Sequence, residues 1–185
     1  LKEHLIKYKK IMDERRETKK GTIKWFQLHW PREERYFESA KIVLPSMFKE
    51  ASATYIAEPA YFGISTNVVL LKNLEYDLKY ILAAINSKFG INWFYKYGKN
   101  RGSGVDIGVE KLRSFPIKIA TSSQQKPFVY MVDRIMSMTS DADYSGNEKK
   151  RATVKEFERE IDQMVYKLYG LTKEEIQIIE SAGER

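Results

Sequence analysis

The chain contains no cysteine, which excludes disulfides and thiolate metal sites and fits a reducing compartment. Only two histidines occur, His4 and His29, on different segments and without an acid at ligand-like spacing, so no metal site is expected. No apolar run approaches the roughly 20 residues that a membrane-spanning helix needs, and no signal-peptide pattern opens the chain. The expected location is therefore the cytoplasm, with no membrane partner. All five prolines stand alone, so the Asn/Asp-Pro-Pro-aromatic loop of amine methylation is missing. A glycine-rich turn between strand and helix is missing too, since Gly98, Gly102 and Gly104 lie in a basic loop. A metal-dependent nuclease needs clustered carboxylates and a lysine, and the nearest match is Glu58 with Asp77 and Lys79. Asp77 sits at a predicted helix start, where an acid is favoured by exposed N–H groups and the helix dipole. No Ser-His-acid set is present. The chain reads as a binding module with no catalytic residue of its own, and its first residue, Leu1, suggests a piece of a longer polypeptide.

What is present points to an anionic partner. The 185 residues, enough for one ordinary domain with a sizeable core or for a domain with a helical appendage, hold 32 Lys+Arg against 25 Asp+Glu, a net charge of +7, and 43% are hydrophobic, as in a folded chain. Tyr95-Lys96-Tyr97-Gly98-Lys99-Asn100-Arg101-Gly102-Ser103-Gly104 interleaves three cations and two tyrosines with three glycines and contains no acid. Cations answer phosphate, Tyr or Arg can stack on or fork to a base, and glycine permits close main-chain approach. A solvated hairpin tip with ordinary surface lysines explains the same composition.

Along the chain, residues 2 to about 18 show helical spacing of Leu1, Leu5, Tyr8 and Met12 among many cations, ended by Gly21. A linker helix over 1–20 is expected, with a basic face along DNA as the sharper alternative. From Gly21 the period shortens to that of strands: Ile23–Leu28, with Trp30 continuing its alternation, then Lys41–Leu44 stopped by Pro45, then Thr54–Ala57 and Asn67–Leu71. Asp77 to Phe89 returns to a helix, closed by Gly90. Val105–Val109 and Phe115–Ile119 are expected to be extended, the latter an edge strand because Pro116 cannot donate to a ladder. After the polar stretch 120–125 the pattern is helical throughout. One stripe runs through Phe128, Met131, Val132, Ile135 and Met136. A mobile loop is expected over 140–150. Thr153 and Glu156 have capping-box spacing ahead of a stripe through Val154, Phe157, Ile161, Val165 and Leu168, and Thr172 with Glu175 opens a last helix after Gly170.

Several of these segments stand in a familiar order. Trp25-Phe-Gln-Leu-His-Trp-Pro-Arg32, Lys41-Ile-Val-Leu-Pro45, Leu78-Lys-Tyr-Ile-Leu-Ala-Ala-Ile-Asn-Ser-Lys88, the basic glycine loop and Leu112-Arg-Ser-Phe-Pro-Ile117 together resemble the TaqI-like C-terminal specificity domain. That family accompanies N6-adenine DNA methyltransferases and fused type IIG restriction–modification enzymes. The ending Glu160–Glu175 resembles the tail of larger fused members. The resemblance implies a mixed α/β (α+β) fold: a twisted, mostly antiparallel recognition sheet with flanking helices over 21–121 and a C-terminal helical segment over 122–185. It also implies double-stranded DNA as partner and a methyltransferase domain in the same polypeptide. S-adenosylmethionine, with Mg2+ if a nuclease is attached, belongs to that parent enzyme, and no cofactor is expected in this fragment.

The DNA-reading residues of the family vary, so the resemblance carries over regions: the loop around Lys96–Gly104 and the segment Trp25–Arg35. Within the first, Lys96, Tyr97, Lys99, Asn100, Arg101 and Ser103 are the candidates. Arg101 is expected to fork to guanine, Asn100 suits adenine, and Lys96 and Lys99 suit phosphates. Lys24, Gln27, Arg32 and Arg35 form a second tier, which a packed rim with stems over an aromatic explains equally well. Two alternatives remain: half of a type I specificity subunit, or a protein-interaction module of a phage-defence methyltransferase.

Overall fold

The computed structural model describes residues 2–29, 31–50, 52–102 and 104–182. Backbone contacts divide the chain into two compact units, Leu1–Arg35 and Tyr36–Arg185.

In the first unit the expected single helix is three short ones, α1 (Lys2–Ile6), α2 (Lys9–Asp13) and α3 (Arg16–Lys19). Arg15 interrupts the run with an extended backbone, φ −61° and ψ 138°. Its guanidinium serves carbonyls instead: Nε donates to Met12 O at 3.2 Å, and Nη2 to Trp25 O at 2.8 Å and Gln27 O at 3.0 Å. Gly21, at φ 73°, ends α3 in the left-handed region that favours glycine. The strand expected over Ile23–Leu28 does not form. The segment is a turn in which Gln27 N–H donates to Lys24 O at 3.0 Å and Lys24 N–H to Gln27 Oε1 at 2.7 Å. With two of its carbonyls taken by Arg15, it offers no ladder to a partner. The expectation for Trp30 lies outside the described residues.

In the second unit the order is α4 (Arg35–Glu38, starting at the division), β1 (Lys41–Pro45), β2 (Met47–Phe48), β3 (Thr54–Ile56), β4 (Thr66–Val69), α5 (Leu78–Asn86), α6 (Lys88–Tyr97), β5 (Lys99–Arg101), β6 (Gly104–Asp106), α7 (Val109–Arg113), α8 (Ser122–Thr139), a 3-10 turn at Tyr144–Gly146, α9 (Glu148–Tyr169) and α10 (Lys173–Ala182). The mixed α/β class is as expected, and the sheet is two small antiparallel ones, ordered β3-β1-β4 and β2-β6-β5. Ser46, between β1 and β2, hands the chain from one sheet to the other. Its N–H donates to Ser65 O at 2.7 Å and its carbonyl accepts Ile107 N–H at 2.8 Å. Buried Asn67 adds a second tie, its Nδ2 donating to Ile107 O at 3.1 Å.

The core lies where the first sheet meets α5. Ile42 and Leu44 alternate toward it, and Leu78, Ile81, Leu82 and Ile85 supply the helical face. α5 starts on Asp77, whose Oδ1 accepts Lys79 N–H at 2.7 Å, as the acid at a helix start suggests. It ends at Ser87, not at Gly90. Ser87 caps α6, accepting Gly90 N–H at 3.1 Å and donating to Ala84 O at 2.8 Å. Gly90 is inside α6, where an added Cβ would lie 2.3 Å from Ala84 O, so only glycine lets the two helices turn this tightly. Asn86 completes the corner: its amide exchanges hydrogen bonds with the Ala53 backbone, donating at 2.9 Å and accepting at 3.1 Å. Asn86-Ser87 is thus an architectural motif.

Phe115–Ile119 is extended but joins no sheet, correcting the edge-strand expectation. Tyrosine hydroxyls hold it instead, with Tyr169 donating to Pro116 O at 2.6 Å and Tyr80 to Lys118 O at 2.7 Å. Farther on, α8 begins at a Thr121/Gln124 capping box that the sequence reading passed over. α9 begins at Asn147, so Thr153 lies within it and no cap forms there. The stretch expected to be a mobile loop over 140–150 is instead the 3-10 turn and the start of α9, pinned by Lys150 to Asp141 at 2.7 Å and Asp143 at 2.5 Å. Gly170, at φ 70°, and the Thr172/Glu175 pair end and start helices as expected.

Candidate nucleic-acid interface

The basic glycine segment is not one loop. Lys96 and Tyr97 form the last turn of α6, Lys99–Arg101 is β5, and Gly102 follows it on the way to β6. A cation in a last turn suits the negative end of the helix dipole. The connection opens on Gly102 at φ 58°, the positive φ that tight hairpin turns require at their first central position. Ser103 lies outside the described residues.

The hairpin is fastened to the core along its inner face. Asn100 pairs with Val105 and Phe48 with Val105 across the sheet, and Val105 is fully buried. Beneath lies an aromatic stack in which Phe94 meets Phe115 at 5.0 Å and Phe48 at 5.6 Å. Each such pair contributes about 0.5–1.5 kcal/mol beyond area burial. A Cβ on Gly98 would lie 2.5 Å from Val105 Cγ2, and one on Gly104 would lie 2.8 Å from Phe48 O. These two glycines admit the protein's own neighbours, not a ligand.

Strand alternation sorts the candidates. Lys99 and Arg101 share one face of β5, while Asn100 points to the other side with Val105. The outer face carries the row Met47, Asp106, Lys99 across the three strands, with Arg101 next to it. Met47 is 58% exposed there. Arg101 Nε stands 3.5 Å from Asp106 Oδ2. Among the described residues, neither Lys99 nor Asn100 has a side-chain hydrogen bond or ion pair. Tyr97, 44% exposed, leans on Trp93 at 4.9 Å, and Lys96 Nζ lies 5.4 Å from its ring. Lys49, which sequence reasoning missed, brings another cation: its Cγ is 3.6 Å from where a Gly104 Cβ would stand. No local signal marks a residue that reaches the hairpin from so far back in the chain. Asp106 stands two residues beyond the cationic segment, and the hairpin register is what brings it to Arg101.

The second-tier residues belong to the first unit and have local work. Lys24 N–H and Gln27 Oε1 bond to each other. Arg35 grips Glu33 with Nε at 2.8 Å and Nη2 at 3.2 Å, and Arg32 is half-buried and already engaged. His29 Nε2 lies 3.4 Å from Glu17 Oε1, and the His4 ring lies tilted against Tyr8, centroids 6.0 Å apart.

The nuclease-like set is used elsewhere. Asp77 caps α5, Lys79 Nζ pairs with Asp133 at 2.5 Å and lies over the Tyr55 ring, and the Glu58 backbone carbonyl accepts buried Lys41 Nζ at 3.0 Å. Among the described residues no group of three or more His, Cys, Asp or Glu is suited to a metal ion, and no helix is long and apolar enough to cross a membrane. Among the described residues no glycine-rich turn joins a strand to a helix in the manner of a nucleotide cradle.

This chain belongs to the family of the TaqI-like C-terminal specificity domain, whose model matches residues 2–117, more than half of the 185. It is a DNA-recognition domain of a restriction–modification enzyme. The matched stretch ends before α8. No curated protein matches the chain.

Proposed function

We propose that the chain reads a short duplex sequence for an N6-adenine methyltransferase of type IIG organisation. In this reading the methyltransferase domain, and any nuclease, lie elsewhere in the same cytoplasmic polypeptide. S-adenosylmethionine, and Mg2+ for any nuclease, would be bound there. The observation that carries the reading is the β5–β6 hairpin, whose outer face offers Lys99 and Arg101 to solvent while its inner face is anchored on the Phe94 stack. A rigid base under exposed cations is what a groove-reading element needs. Lys96, Lys99 and Lys49 supply phosphate contacts and therefore affinity, and Arg101 supplies a forked contact to guanine. Asn100, on the opposite side of β5, reads a different part of the groove from Arg101. Tyr97 lies just before the reading strand, Ser103 is a further candidate contact, and Lys24, Gln27, Arg32 and Arg35 form a second contact region.

Selection from a randomised duplex at two salt concentrations tests this. Arg101→Ala should cost about 1–3 kcal/mol on the selected site and relax one position. Lys99→Ala should weaken every sequence alike and lower the salt slope by about one unit. Equal losses on all sequences for Arg101→Ala would remove its base-reading role, and binding without sequence preference by the unaltered chain would favour the protein-interaction alternative.

A further inference from the structure

We infer that Asp106 is a specificity-determining positioning residue, holding the Arg101 guanidinium for a base edge. The inference rests on the hairpin being the reading element. Asp106 pairs with Lys99 across the β5–β6 ladder and shares its outer face, so its carboxylate stands among cations on the surface offered to DNA. Its Oδ2 approaches Nε of Arg101, the inner edge of the guanidinium, at 3.5 Å. That approach leaves Nη1 and Nη2, the outer edge, as two parallel donors matched to guanine O6 and N7.

Two other roles for Asp106 fit less well. Both side chains are substantially exposed, 52% for Arg101 and 36% for Asp106, and a pair of this exposure adds little to stability. On a surface that only lies along phosphates, a carboxylate opposes binding, because each phosphate repels it. An acid is useful on such a face where it fixes the direction of an arginine. It also turns away poor sites, since a base pair unable to accept the fork leaves the guanidinium with Asp106 and the carboxylate facing the duplex.

The test uses the whole chain and a randomised duplex library, followed by titration of the selected duplex and of one altered at the Arg101-dependent pair. Asp106→Asn should lower discrimination at that pair about tenfold while binding to unrelated duplex stays equal or rises. Asp106→Glu keeps the charge and moves the carboxylate by one methylene; it should also lower discrimination, which covers the case of a poorly folded asparagine variant. In an Arg101→Lys background, Asp106→Asn should change discrimination less than about twofold, since lysine has no fork to orient. Equal gains on all sequences for Asp106→Asn would overturn the proposal and leave Asp106 a repelling charge. An undiminished effect in the Arg101→Lys background would overturn it as well. If the unaltered chain selected no sequence, the hairpin reading itself would fail, a result distinct from both.

Discussion

Replacing Asp162 by asparagine removes a charge from the junction of α6, α9 and α10 while keeping an acceptor there. Asp162 is 6% exposed, and its Oδ1 accepts Lys88 N–H at 2.7 Å in the first turn of α6. Burial raises its carboxyl from 3.8 to about 6 against the opposing pull of that N–H and of Lys88, with the carboxylates of Glu180 and Glu158 pushing the same way as burial. Around it, Lys88 pairs with Glu180, and Tyr166 donates to Glu180 Oε1 at 2.9 Å. The folded chain therefore binds more protons at Asp162 than the unfolded one between the two values. Its contribution is full below 3.8 and is lost as the pH rises through about 6. The whole difference corresponds to about 3 kcal/mol, of which about 2 kcal/mol falls between about pH 4.5 and about pH 8. Urea unfolding of the unaltered chain and of Asp162→Asn at those two values measures it. The variant should gain about 2 kcal/mol relative to the original chain on going from the lower to the higher pH. Any constant cost of the new amide group cancels in that comparison. Parallel stability curves across the range would refute the buried charge.

Three further substitutions probe the scaffold and the hairpin turn. Gly90→Ala forces a Cβ to within 2.3 Å of Ala84 O and 2.5 Å of Ile85 O, both backbone, and should cost at least about 3 kcal/mol; Gly63→Ala, with nothing within 4 Å, is the control, and equal melting temperatures for the two would contradict the packing at Ser87. Gln125→Ala removes donations to Glu75 O at 2.7 Å and Ala120 O at 2.9 Å and the acceptor for Asp77 N–H at 2.8 Å, a loss of about 3 kcal/mol by denaturant titration; a change under about 1 kcal/mol would mean water replaces the amide at no cost. Gly102→Ala meets no neighbour, so its cost is the positive φ alone, about 1 kcal/mol, seen as faster amide exchange in β5 and β6; Gly102→Asn should recover part of it, and an unchanged exchange rate for alanine would show that the turn does not need that φ.

Much of the architecture was legible because it is set by interactions within a few residues. Asp77 at the start of α5, the Thr172/Glu175 pair, Gly170 and the stripe through Val154, Ile161 and Val165 all act over one or two helical turns, and the short motifs from Leu78 to Lys88 and Leu112 to Ile117 carry the family. The cationic segment was legible too, as composition. Tertiary structure decided the rest. Ile23–Leu28 alternates like a strand, yet Arg15 takes its carbonyls, and periodicity carries no information about which distant group will satisfy a backbone acceptor. Gly90 looked like a helix stop because the corner that requires it depends on Asn86 reaching Ala53, far away in sequence. The hairpin shows both sides. Its cations and its turn glycine are written in the chain, whereas the face each side chain occupies, and the acid that meets Arg101, follow from a register that only the anchoring of β6 against β2 and the aromatic stack could set.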